Sequence, residues 1–175
     1  MSGPALTLAE ATRICNLAVE TCKKHSFAPV TVYVCDANGD PLTFQRMDGC
    51  HSKVTPDCAR SKAITAASLK MSSRAWRDRY CNGVEPAKFC QMLSMVNISG
   101  NNLAPFAGGI LIRTADKTIV GSVGVSGAAG DEDEYCALSG VWEAGLGYVT
   151  EPTEHKLKLP QPDSAEPAAK KQRQS

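Results

Sequence analysis

The stretch Val120 to Cys136, VGSVGVSGAAGDEDEYC, decides the fold of this 175-residue chain. An apolar strand runs through closely spaced glycines and leads directly into four carboxylates, Asp131 to Glu134. Acidic side chains suit the positive end of a helix dipole, so the pattern predicts a strand, a tight turn and a helix from about Asp131 to Gly145. The same carboxylates would repel a phosphate, and the glycine spacing matches neither G-x-G-x-x-G nor a P-loop.

Two pairs of alternating segments predict antiparallel hairpins. The first strand covers Val30 to Val34, turns at Asn38-Gly39 and returns over Leu42 to Met47. Asn-Gly is a strong hairpin signal because both residues tolerate positive φ. A second hairpin joins residues 110–112 to residues 118–125 through a turn at residues 115–117. Two hairpins favour an antiparallel sheet.

Helices are predicted before, between and after these strands. Thr7 and Glu10 have the spacing of a capping box for a first helix that ends near Lys24. Thr55-Pro56 is typical of an N-cap and first residue for a second helix that continues to Leu69. This second helix is rich in alanine, so its backbone can lie close to a sheet. Shorter helices are expected over residues 73–80 and 87–96.

Three blocks of sequence together resemble the GlcG/HbpS-like family, which includes haem-degrading and PduO C-terminal-like domains. They are VYVCDANG with RMDG at residues 32–49, ARSKAITA at residues 59–66, and the Val120 to Cys136 stretch. The blocks occur in the family's order, from about Leu8 to Gly147. The resemblance implies an α/β (α+β) fold of the GlcG/HbpS-like, profilin-like type, in which a central antiparallel sheet of about five strands carries helices on its faces in three layers.

Composition indicates one domain and a tail. A chain of 175 residues with 43% hydrophobic residues can bury one sizeable core, which we assign to residues 1–150. Residues 151–175 are proline-rich, contain lysines and lack periodicity, so they are expected to be disordered. A net charge of +1 gives no general attraction to nucleic acid or to an anionic membrane.

Basic and aromatic residues alternate between Arg74 and Tyr80, as they do in sites for single-stranded nucleic acid. The run is short and contains Asp78, so a solvated amphipathic helix is the favoured interpretation. No run of 18 or more apolar residues suggests a membrane span.

The eight cysteines predict a reducing, cytoplasmic location rather than a disulfide scaffold. The first residues do not form a charged and then apolar leader, and no Cys-x-x-Cys pair is present. Cys15 and Cys22 share one stripe of the first helix, which makes them core residues.

Polar residues that interrupt apolar elements define the predicted binding site. Arg46 and Asp48 end the return strand of the first hairpin, while Lys62 and Thr65 lie on one face of the alanine-rich helix. A buried lysine needs a partner. Two interpretations stay open: Lys62 forms an internal ion pair with Asp36 or Asp48, or it faces a ligand. The family resemblance favours a pocket, and we assign Arg46, Asp48, Lys62 and Thr65 as its cofactor-binding residues.

Metal ligands are less clearly marked. Some relatives bind haem, so the resemblance implies haem as a candidate cofactor. The sequence offers His51 beside the RMDG block and His25 at a helix end as weak metal candidates, and His155 falls in the predicted tail. A tyrosine, a thiolate or a methionine can also coordinate haem iron.

These observations predict a small cytosolic cofactor or small-molecule binding protein that forms a homo-oligomer, with haem or a related tetrapyrrole as the candidate ligand. One alternative is an enzyme or accessory protein that acts on a small carboxylate or a diol-pathway metabolite, with Lys62 or an aspartate as acid or base. The other alternative is a structural oligomer without a ligand.

Overall fold

A five-stranded antiparallel sheet forms the middle layer of the computed structural model, which describes residues 5–50, 53–83 and 85–159. The strands are β1 (Thr31–Asp36), β2 (Pro41–Arg46), β3 (Gly109–Arg113), β4 (Ile119–Ser126) and β5 (Val149–Glu151), and they pair in the order β2-β1-β4-β3-β5. The helices are α1 (Leu8–Lys24), α2 (Val54–Leu69), α3 (Ser73–Cys81), α4 (Pro86–Ile98) and α5 (Gly130–Glu143). The fold is therefore α+β, as the sequence predicts.

Both predicted hairpins are confirmed. β1 pairs with β2, and β3 pairs with β4. In the first turn the carboxylate of Asp36 accepts hydrogen bonds from the backbone N–H groups of Asn38, at 2.8 Å, and Asp40, at 3.0 Å. Gly39 has a φ of +92°, a conformation that glycine adopts without strain. Asp36 therefore closes the turn and does not reach across to α2.

The main apolar core lies between one face of the sheet and helices α1 and α5. Valines and isoleucines of the inner strands pack there on fully buried side chains such as Ile14, Cys15 and Leu138. Cys15 and Cys22 are both fully buried, which confirms their predicted place in the core. The two helices cross closely, since a Cβ on Gly140 would lie only 2.7 Å from the carbonyl oxygen of Ile14.

Helix α2 covers the opposite face of the sheet at unusually short range. A Cβ added to Gly124 would lie 2.0 Å from the carbonyl oxygen of Ala59, and one on Gly109 would lie 2.3 Å from that of Lys62. Glycine on the strands and alanine on the helix thus allow backbone-to-backbone packing. This contact fixes the position of the Lys62 side chain relative to β4.

The bounds of the helices follow the sequence-based prediction, with corrections at the start of α2 and the end of α5. Thr7 and Glu10 form the predicted capping box of α1. Helix α2 begins at Val54, before the predicted N-cap Thr55, because Pro56 then lies in the first turn, where its missing N–H has no helical partner. Helix α5 runs from Gly130 to Glu143 and ends two residues before the predicted Gly145.

The folded unit continues beyond the predicted boundary at residue 150. Glu151 belongs to β5 and accepts hydrogen bonds from Arg113, the nearer at 2.6 Å. The indole of Trp142 donates to Thr150 at 3.0 Å, and the ring of His155 contacts that of Tyr135 at 4.7 Å. The prediction of a disordered tail stays a prediction for residues 160–175, which lie outside the described residues.

Within the described residues, every helix is too short or too polar to cross a bilayer.

Candidate functional site

An open depression of about 470 Å³ lies where α2, the end of β4 and the start of α5 meet. Its polar lining consists of Lys62, Arg77, Ser126, Asp131 and Asp133, and its apolar lining includes Phe106 and alanines 107, 128 and 129. The depression thus joins the lysine of the ARSKAITA block, the serine of the GVSG turn and the acidic run of α5. These residues are far apart in sequence.

Lys62 and Asp133 form the floor of this depression. The Lys62 ammonium donates to the Asp133 carboxylate at 2.8 Å and to the carbonyl oxygen of Val125 at 2.8 Å. The second carboxylate oxygen of Asp133 accepts from the backbone N–H of Ala128 at 3.0 Å. Both side chains are almost fully buried. The pair ties α2 to the turn between β4 and α5.

This geometry corrects the expected partner of Lys62. The internal ion pair exists, but its acid is Asp133 rather than Asp36 or Asp48. Asp36 is engaged in its own turn, and Asp48 is exposed beyond the end of β2. The contact between α5 and α2 joins residues 71 positions apart, so local sequence patterns do not indicate it.

Burial changes the acidity of Asp133. Loss of solvation raises the pKa of this carboxyl to about 6, and the attraction of Lys62 opposes part of that rise. A carboxyl with such a pKa changes its charge near neutral pH.

The other three carboxylates of the acidic run have their own partners. Arg74 donates to both carboxylate oxygens of Glu134, at 2.9 and 3.0 Å, and also pairs with Asp131. Glu132 accepts from the backbone N–H of Ala129 at 3.0 Å. Helix α3 is amphipathic, as predicted, with Arg79 on its exposed face, but Arg74 is not solvated: it is buried in this ion pair, on the same side as Trp76, which is only 1% exposed.

The four predicted cofactor-binding residues do not come together. Arg46 and Asp48 line a different depression of about 280 Å³, together with Lys23 of α1. Of the four, only Lys62 lines the depression at the start of α5. Thr65 is fully buried in α2 and does not line this depression.

Thr65 makes hydrogen bonds inside the protein. Its hydroxyl donates to the carbonyl oxygen of Ser61 at 2.7 Å and accepts from the backbone N–H of Ala104 at 2.8 Å. The side chain thus holds the segment that follows α4 against α2. Both hydrogen-bonding directions of the hydroxyl are used.

Neither His25 nor His155 lines the depression. His25 packs its ring on Phe27 and Tyr135, with ring centroids 5.4 and 5.2 Å away. His155 contacts the same tyrosine ring, and His51 lies outside the described residues. In residues 5–50, 53–83 and 85–159, no three His, Cys, Asp or Glu side chains cluster as a metal site.

Side chains of the types that bind haem iron occur in a second opening. A groove of about 630 Å³ between α3 and α4 is lined by Tyr80, Cys90 and Met95, with Ile98 at one end. Cys90 is exposed. Arg77, one helical turn before Tyr80, lines the first depression, so both openings adjoin α3.

Sequence reasoning missed Asp133, Ser126 and Arg77 as lining residues. A signal for the first two existed, because both belong to the GVSG-to-DEDE block that carries the family resemblance. Arg77 carries no such signal, since its place depends on how α3 packs beside α5.

Comparison with known proteins gives a consistent result. A family model described as "Haem degrading protein HbpS-like" matches residues 6–142. An uncharacterised 15.0 kDa protein from the dhaT-dhaS intergenic region of Citrobacter freundii is 30% identical over 132 residues, which cover 75% of this chain and 87% of the relative.

Solved structures share the fold. A double mutant of Streptomyces reticuli HbpS is 32% identical, with a TM-score of 0.68 over 84% of this chain and 90% of that one. The Klebsiella pneumoniae protein ORFY is 25% identical, with a TM-score of 0.70 over 83% and 94%. A PduOC–haem complex is 23% identical, with a TM-score of 0.69 over 85% and 99%. The chain belongs to the HbpS-like family.

Proposed function

We propose that this protein binds a small-molecule cofactor, and that haem or a related tetrapyrrole is this cofactor. The observation that carries the proposal is the open depression above a buried ammonium–carboxylate pair, where three sequence blocks converge. Buried charges beside a cavity are typical of binding and catalytic sites. A merely structural ion pair would not need such an opening.

The choice of haem is supported by the family. The matching family is described as haem-degrading, and the PduOC structure of the same fold is a haem complex. Bound haem would supply an iron centre and an extended apolar ring. The chain must supply an iron ligand and an apolar wall.

The groove between α3 and α4 fits these two needs. Its lining includes a phenol, a thiol and a thioether, from Tyr80, Cys90 and Met95, which are all known types of iron ligand. The neighbouring α4 also exposes apolar side chains, namely Phe89, Leu93 and Ile98. Among the described residues, the lining of the depression above Lys62 includes no side chain of these ligand types. We therefore assign the iron to the α3–α4 groove.

Titration of the full chain with haem tests this function. A saturable change in the haem absorbance spectrum at a fixed stoichiometry is expected. Cys90→Ser and Tyr80→Phe should each be tested, and the residue that ligates iron should alter the spectrum of the bound haem. Cys58→Ser on α2 is the matched control and should leave the spectrum unchanged. A spectral change that never saturates would exclude specific haem binding.

We also propose that the protein is a cytoplasmic homo-oligomer. Exposed apolar side chains away from the α3–α4 groove, such as Leu8 and Phe44, support self-association, because exposed apolar surface commonly marks an interface. Light scattering after gel filtration, over a tenfold range of concentration, measures the mass of the assembly. A mass equal to one chain at all concentrations would contradict the proposal.

A second candidate function is catalysis on a small carboxylate, and Asp133 is the observation that favours it. Its carboxyl lines the depression and has a pKa of about 6, which suits a general acid or base at neutral pH. In that case Asp133→Asn should abolish turnover of a small hydroxy or keto acid while binding persists. Absence of turnover in the wild type across such acids would remove this candidate.

A further inference from the structure

We infer that the depression above Lys62 and Asp133 recognises a carboxylate group of its ligand. This inference rests on the proposed function and adds the chemistry by which the ligand is held. It follows from counting which hydrogen-bonding groups in the depression are already used by the protein and which are not.

The Lys62 ammonium has an unused donor. A lysine ammonium carries three N–H bonds. Two of them go to Asp133 and to the carbonyl oxygen of Val125, and no third acceptor is found among the described residues. The side chain is only 4% exposed and lines the depression. A buried charged donor with spare capacity favours an acceptor brought by a ligand.

Two further donors in the lining are unused. The hydroxyl of Ser126 has no hydrogen-bond partner within the part of the chain that the structure describes. Arg77 donates hydrogen bonds from Nε and Nη2 to the carboxylate of Asp78, at 2.8 and 2.6 Å. Its Nη1 atom makes no hydrogen bond to a described residue. Lys62, Ser126 and Arg77 belong to three different elements and line the same depression.

The acidic groups of the lining, by contrast, each already have a cationic partner. Asp133 accepts from Lys62 through one oxygen and from Ala128 through the other. Asp131 is paired with Arg74. The depression therefore has unused donors, and each of its negative charges already has a partner. This balance suits an acceptor ligand.

The ligand group is a carboxylate rather than a phosphate. Asp131 and Asp133 line the depression, so they lie close to any bound anion, and their repulsion grows with the charge of that anion. A singly charged carboxylate is repelled less than a doubly charged phosphate. Phe106, which is 53% exposed, and the alanines of the lining offer contact to an apolar body attached to the carboxylate.

Such a carboxylate has two sources: a haem propionate or a free apolar monocarboxylic acid. The test uses the full chain and calorimetric titration of four probes, namely haem, haem dimethyl ester, benzoate and benzyl alcohol. The ester and the alcohol lack the carboxylate. The variants are Ser126→Ala, which removes a hydroxyl without a protein partner, and Arg77→Gln. Arg79→Gln, an exposed change on the same helix, is the matched control.

We expect haem to bind more tightly than its ester, or benzoate to bind where benzyl alcohol does not. Ser126→Ala should lower the affinity for the carboxylate probe about three- to tenfold, the usual contribution of one hydrogen bond. Arg79→Gln should leave this affinity unchanged. The carboxylate inference would be overturned, with haem binding left intact, by three results together. Haem and its ester would bind equally, neither variant would change this binding, and benzoate would not bind. Benzoate binding that depends on Ser126, without haem binding, would support the inference and overturn haem as cofactor. Binding of none of the probes would overturn both.

Discussion

Lys62 and Asp133 are separated by 71 positions in the chain, yet their charged atoms lie 2.8 Å apart in the interior. Removing one member leaves the other buried without a counter-charge. We predict that Lys62→Met lowers the free energy of unfolding by about 3–5 kcal/mol. Urea unfolding at pH 7 measures this loss.

The matched control is Lys23→Met on the exposed end of α1, which should change stability by less than about 0.5 kcal/mol. Adding Asp133→Leu to Lys62→Met should recover a large part of the loss, because an apolar pair replaces a broken ion pair. A loss below about 1 kcal/mol in the single variant would show that Asp133 takes up a proton or a new partner at little cost.

The acidity of Asp133 predicts a particular pH dependence. Its pKa is raised from the usual value to about 6 in the folded protein, so between about pH 4 and pH 6 the folded state binds this proton more tightly than the unfolded state. The contribution of Asp133 to stability therefore falls as the pH rises through this window. The difference in unfolding free energy between wild type and Asp133→Asn should follow the same course. Carbon NMR of the labelled carboxyl should show a midpoint near 6, and a midpoint at or below 4 would contradict the assignment.

Much of the local structure is readable from sequence, because its signals involve neighbouring residues. The turn at Asn38-Gly39 and the capping box of Thr7 and Glu10 depend on residues within four positions of each other. The partner of Lys62 could not be found in this way. Asp36 and Asp48 were the expected acids, whereas the packing of α2 on the sheet brings Lys62 to Asp133.

Arg74 also has a partner that local sequence does not reveal, but here the pattern suggested an exposed side chain rather than a buried one. Its neighbours suggested the solvated face of an amphipathic helix, but the arginine is buried against Glu134. A charged residue in a polar stretch gives no local sign that its partner is 60 positions away. The candidate site consists of such distant pairs, so the sequence indicates its residue types better than its geometry.

The close contact between α2 and the sheet predicts a severe effect of Gly124→Ala. The new Cβ would lie 2.0 Å from the carbonyl oxygen of Ala59 and 2.6 Å from the backbone nitrogen of Ala63. Backbone atoms cannot move aside cheaply, so we expect a loss of at least about 3 kcal/mol or failure to fold. Gly130→Ala is the control, since its Cβ would meet only the side chain of Ala107 at 3.4 Å. Similar melting temperatures for the two variants would show that α2 lies farther from β4.

Two truncations test where the domain ends. Removing residues 160–175 should leave the melting temperature and the assembly unchanged, as expected for a segment with little apolar surface. Removing residues 151–175 also deletes the partner of Arg113 and the His155 contact with Tyr135, so stability should fall by about 1–3 kcal/mol. Equal melting curves for the two truncated proteins would restore the boundary at residue 150.

Thiol reactivity should divide the eight cysteines into two groups. Cys81 and Cys90 are exposed, whereas burial raises the pKa of Cys15 and of Cys35 to about 12. Since the thiolate is the reactive form, we expect the exposed pair to react rapidly with a chromogenic disulfide in the native protein. Cys81→Ser and Cys90→Ser should each remove one fast thiol. Denatured protein prepared without reductant should titrate as eight free thiols, and protected pairs would contradict a reducing location.

The order of strands also has a consequence for how the chain acquires its structure. β1 pairs with β4, although two strands, β2 and β3, and three helices lie between them in the sequence. The centre of the sheet therefore cannot form until the chain has been synthesised through Ser126. Until then, a β1–β2 hairpin that forms early leaves the other edge of β1 unpaired. Non-local pairing of this kind slows folding, because the entropy of loop closure is lost before the stabilising contacts form. During that interval the edge of β1 is open to pairing with other chains, so crowded synthesis is the stage at which this protein is most exposed to aggregation.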